Sequence, residues 1–101
     1  MVDLARGLVG IAGTTLRIHS EGYTYVREHG TPPPGIDRQF TEQDVIDATR
    51  SFLATLNEHS AALGSEEVEH NLNIAAEVVR PVSAVAERLV LGASRATTDD
   101  G

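Results

Sequence analysis

Gly30-Thr31-Pro32-Pro33-Pro34-Gly35 limits this chain more than any other stretch of it. Three successive prolines fix φ and remove three amide donors, and each one disfavours a helical conformation in the residue before it. No helix and no central strand crosses such a segment. The chain therefore reads as residues 1–29, a stiff connector at 30–35, and a longer C-terminal portion.

Downstream of the connector, Phe40-Thr41-Glu42-Gln43-Asp44 has the form of a helix start. Thr41 accepts from first-turn amides, and Glu42 and Asp44 suit the positive end of the dipole. Phe40 stands where a hydrophobic staple against Val45 forms. Val45, Phe52, Leu56 and Leu63 then recur at helical spacing as far as Gly64, a natural stop. Ser65 is expected to cap the next helix, with Glu66 and Glu67 in its first turn, and Val68, Leu72, Ala75, Val79, Val82, Ala86 and Leu89 keep a seven-residue rhythm to about Leu91. A connection this short makes the two helices antiparallel. Pro81 costs a hydrogen bond and clashes one turn back, so a kink is expected there, with a fresh short helix as the alternative.

Residues 1–29 are less regular, with glycines at 7, 10, 13 and 22. A strand pair within 14–28 around Ser20-Glu21-Gly22 is one reading. Helical period accounts for more of the segment: residues 3, 7, 10, 14, 17, 21, 24 and 28 form a polar or tiny face, and Leu4, Leu8, Ile11 and Ile18 form the opposite one. The expected fold is thus all-α, with three long helices at about 3–29, 41–63 and 66–92. The last is kinked at Pro81, and the last two form an antiparallel helical hairpin. The alternative is an α+β fold with a hairpin at 14–28. Residues 1–92 make a single helical domain, and 93–101, with little to bury, are expected to form a disordered tail.

The chain has no cysteine and no lysine, and its eight basic residues are all arginine against fifteen acids, a net charge of −7. Disulfides, thiolate metal sites, Schiff-base chemistry and a phosphate-loop lysine are excluded. Residues 1–40 hold four arginines and four acids, so the deficit belongs to residues 41–101. Without a basic cluster, direct nucleic-acid binding is not expected. No apolar run approaches the ~20 residues of a membrane span, and the opening residues lack the pattern of a secretory signal, so a cytoplasmic location is the expectation.

Glu67 and His70 have Glu-x-x-His spacing within Ser65-Glu66-Glu67-Val68-Glu69-His70. These six residues resemble the second-helix motif of ferritin-like proteins, the short encapsulin-associated ones included. The resemblance implies Glu67 and His70 as ligands of iron or manganese in an oligomer that supplies the other half-site by symmetry. Helical phase favours a different reading. The apolar stripe centres on Val68, Ala75 and Val82, which turns His70 towards solvent with Glu66, Asn73 and Glu77. A solvated, capped helix start needs no metal and no cofactor, and none is expected. His59 falls on the stripe of its own helix as a boundary residue, and His19 and His29 lie near the edge and end of the first helix.

No glycine-flanked serine elbow, His-Glu-x-x-His motif or phosphate loop is present, and catalysis is not expected. Seam-like apolar spacing with only four aromatic rings points to a thin core that another chain completes. The expected function is a non-catalytic helical assembly or adaptor module, a homo-oligomer or one docked on a larger protein, with Phe52, Leu56, Leu72 and Val79 as partner-binding residues. Glycines 7, 10 and 13 fit close approach of another backbone, or simply a poor helix start. A second expectation is a small acidic inhibitor or immunity-type protein that offers Glu66, Glu69, Glu77, Glu87, Asp44 and Asp47 to a basic surface.

Overall fold

The computed structural model describes residues 2–99, with side chains through Arg95. The described residues are all-helical, in five helices: α1 (Val2–His29), α2 (Glu42–Glu58), α3 (Ser60–Leu63), α4 (Ser65–Val79) and α5 (Ala84–Asp99). Residues 14–28 lie wholly within α1, so the strand-pair alternative is set aside. A helix through four glycines holds because α1 packs chiefly on α2, with further contacts to α3 and α4, and is tied at both ends by arginines. Arg6 pairs with Glu67, and Arg27 Nη1 donates to Val82 O at 3.2 Å.

The three expected helices become five through two breaks. At His59 the chain leaves helical geometry (φ −106°, ψ 13°), Ser60 Oγ donates to Asn57 O at 2.8 Å, and one further turn, α3, carries Leu63 into the core. At Pro81 the expected kink is a full break. The N–H groups of Val82 and Ser83 both reach Val79 O, at 2.9 Å each, and a new helix starts at Ala84. Ser83 holds that start: its Oγ accepts from Ala86 N (3.1 Å) and donates to Glu42 Oε2 (2.8 Å).

The α2 start forms as its residues dictate. Thr41 Oγ1 accepts from Asp44 N, and Asp44 accepts from Thr41 N at 2.9 Å, a closed capping box. Those backbone and hydroxyl donors, together with nearby Arg38, hold the Asp44 carboxyl below its usual range. Phe40 is buried, with its ring against the bare backbone of Gly22 and edge-on to His19 at 5.6 Å.

The core gathers Ala5, Val9 and Leu16 from α1, Val45, Phe52 and Leu56 from α2, Val68, Leu72 and Val79 from α4, and Val82, Ala86 and Val90 beyond the break. The antiparallel hairpin is not the dominant packing: α1 packs chiefly on α2, and α4 on α5. The helix also runs beyond Gly92 to Asp99, where a tail from residue 93 was expected. Ala93 packs against the core, and Ser94, Arg95 and Ala96 include nothing that ends a helix. Residues 100 and 101 of that tail lie outside the described residues. The Cα trace measures 44 × 26 × 16 Å, a slab about two helices thick.

Candidate functional site

The sequence selected Phe52, Leu56, Leu72 and Val79 as partner-binding residues. Their exposures are 3, 2, 2 and 0%, so all four serve the core and present no surface to a partner. The core stripes of α2 and α4 are consumed inside the chain; of the exposed large apolar side chains, Leu4, Leu8, Ile11 and Ile18 share α1, and Ile36, Ile74, Val85 and Leu91 are scattered elsewhere.

At 100° per residue, α1 carries two apolar lines roughly a third of a turn apart. One, made of Ala5, Val9 and Leu16, faces inward. The other is Leu4, Leu8, Ile11 and Ile18, the apolar face of the helical pattern, and it is exposed by 61, 39, 66 and 50%. Leu4, Ile11 and Ile18 are spaced by seven with Leu8 between them, the pattern of a seam. The same line continues to Gly22, where Phe40 covers it. The uncovered ridge is therefore its N-terminal part, about 21 Å long from residue 4 to residue 18.

The small line faces inward because α1 lies close to its neighbours. A Cβ on Gly13 would stand 3.5 Å from the Phe52 ring, an ordinary packing distance. Gly7 and Gly10 have nothing within 4 Å of where their Cβ would stand, so no other backbone approaches them.

The Glu-x-x-His pair is divided. Both Glu67 carboxylate oxygens accept from Arg6, Nε to Oε2 and Nη2 to Oε1, each at 2.9 Å. Hydrogen bonds from Arg6, and the charge of the same guanidinium, lower the Glu67 pKa. His70 is exposed, and the described residues contain no group of three or more His, Asp or Glu placed to hold a metal ion. His59 marks the break after α2, His19 lies edge-on to Phe40, and His29 stacks on Tyr25 at 3.9 Å.

Of the acidic set, Asp44 is taken by the α2 cap and Arg38, Glu87 by Arg80 (2.9 Å), and Asp47 by Gln43 (2.9 Å). Glu66, Glu69 and Glu77 remain exposed on α4. No described helix is long and apolar enough to cross a membrane. No protein-family model matches the chain, and no curated protein or solved structure is significantly similar to it.

Proposed function

We propose that this chain is a non-catalytic helical module that works by pairing with a second copy through the Leu4, Leu8, Ile11 and Ile18 ridge of α1. The exposure of this ridge carries the reading: four large side chains at seam spacing, each 39–66% exposed, form one line on one helix. A two-fold pairing is self-complementary, because Ile11 near the middle of the ridge meets its own copy and Leu4 meets Ile18.

Charge supports a second copy over a charged partner. The net charge is −7, yet α1 balances Arg6, Arg17 and Arg27 against Asp3, Glu21 and Glu28. This helix is thus the long surface on which two acidic chains meet with least repulsion. Complete burial of the ridge in both copies is worth about 6–13 kcal/mol. Association costs about 4–15 kcal/mol, so the expected dimer is weak and concentration-dependent.

Light scattering after size exclusion, from micromolar to near-millimolar protein, tests the proposal. The wild type is expected to shift towards a dimer as concentration rises. Ile11→Asp should hold it monomeric with its helical circular dichroism unchanged. A wild type that stays monomeric throughout overturns the reading.

A further inference from the structure

The face of α1 that carries Gly10, Gly13 and Arg17 lies away from the ridge and forms one wall of a groove against α4. Two cavities occupy it. The larger, about 350 Å³, lies between Ser20, Thr24 and Tyr25 of α1 and Val78, Pro81 and Val82. The smaller, about 190 Å³, is walled mainly by Val9, Gly13, Leu16, Phe52, Ile74 and Ala75. Arg17 and Val78 line both, so the cavities meet beside them. The larger volume falls within the range of small-molecule sites, whose walls are mostly apolar with a few placed polar groups. The break at Pro81 shapes the larger cavity, and the Arg27 bond to Val82 O fixes that wall.

Two donors at the junction lack partners. Ser20 is 2% exposed, and its Oγ is buried with no hydrogen-bond partner among the described residues. Two helical hydroxyls bond back one turn: Thr49 donates to Val45 O at 2.7 Å and Thr15 to Ile11 O at 3.0 Å. Ser20 does not. Arg17 makes no hydrogen bond and no ion pair with the described residues, unlike Arg6, Arg27, Arg38 and Arg80. Positions three apart on a helix are neighbours on one face, so a guanidinium and a hydroxyl are available side by side. That combination suits a carboxylate, which accepts two parallel bonds from arginine and a third from a hydroxyl.

We infer that the α1–α4 groove binds a small amphipathic carboxylate, its head group held by Arg17 and Ser20 and its apolar body lying in the smaller cavity against Leu16, Phe52 and Ala75. Glu21 and Glu28 also line the larger cavity and oppose an anion there. Glu28 lies about 16 Å along the helix from Arg17, which directs the head group to the Arg17 end and the body away from the acids. Glu21, one turn from Arg17, weakens binding without preventing it.

Titration of the ¹⁵N-labelled full chain with octanoate at neutral pH, beside octylamine, tests the assignment. Octanoate should produce saturable amide shifts around residues 16–21 and 74–79, and octylamine should not. Arg17→Gln should weaken octanoate binding by about tenfold or more. Ser20→Ala should weaken it several-fold while melting no earlier than the wild type, since it deletes an unsatisfied group. Glu21→Gln should tighten it. Absence of saturable shifts, equal binding of octylamine, indifference to Arg17→Gln, or shifts confined to the Leu4–Ile18 ridge would each overturn the inference. The wild-type dimerisation assay reads the ridge separately, so either proposal can fail without the other.

Discussion

Two glycines on the same helix have opposite requirements. Gly22 is buried under Phe40, and a Cβ there would stand 2.6 Å from ring atoms Cγ and Cε2, closer than packed carbons approach. Gly7 faces open space. Alanine removes the entropic penalty of a helical glycine, about 0.5–1 kcal/mol, at both positions. At Gly7 nothing opposes that gain, and Gly7→Ala should stabilise by about this amount. At Gly22 the displaced ring reverses the sign, because overpacking costs about 1–3 kcal/mol, and Gly22→Ala should be net destabilising. Urea unfolding of the two variants checks the pair, and a Gly22→Ala protein as stable as Gly7→Ala would contradict the Phe40 contact. The sequence showed both residues as glycines in a helical pattern. It held no sign of which one Phe40 would cover, because that contact bridges the proline connector.

Among the elements, the α2 start was legible, whereas the cap expected of Ser65 does not form: Gly64 holds the N-cap position of α4, with no side-chain cap bond. Thr41 and Asp44 close the α2 cap as their types and spacing suggest. Pro81 announced an interruption, but its extent depends on Ser83, two residues on, whose hydroxyl both caps α5 and reaches Glu42 at the opening of α2. The hydrogen bond to Glu42 is a contact between residues 41 apart, beyond what helical period conveys. The break at His59 was missed for a related reason: Asn57 and Ser60 are ordinary helix-surface residues until the Ser60 hydroxyl takes the Asn57 carbonyl. Ser83→Ala removes the cap and the tie to α2 together. It should cost about 1–2 kcal/mol, measured by denaturant unfolding. Combined with Glu42→Ala, the loss should be less than the sum of the two single variants, since both break one hydrogen bond. Strict additivity would show that the bond contributes nothing.

The orientation of α1 belongs to the whole molecule and was the largest feature hidden from the sequence. Apolar size favours burying Leu4, Leu8, Ile11 and Ile18, but a slab 16 Å thick admits α1 by its smaller line, Ala5, Val9 and Leu16. The larger line is left uncovered because the chain has too few layers to cover both. The seam-like spacing of α2 and α4 is met inside the chain, and the exposed line of similar spacing lies on α1.

Salt distinguishes this account from one in which the acids do the binding. Two copies of charge −7 repel through solvent even when their touching helices are neutral. The Debye length falls from about 30 Å at 0.01 M salt to about 10 Å at 0.1 M, which removes most of that repulsion across a particle 44 Å long. The apolar ridge itself loses nothing to screening. Dimerisation through α1 should therefore strengthen between 10 and 100 mM salt, about the span over which that screening develops. Sedimentation equilibrium of the wild type at both ionic strengths measures the change. An acidic face engaging a basic partner weakens over the same range, because the screened term is then the attraction. If self-association falls as salt rises, ion pairs rather than Leu4, Leu8, Ile11 and Ile18 hold the copies together.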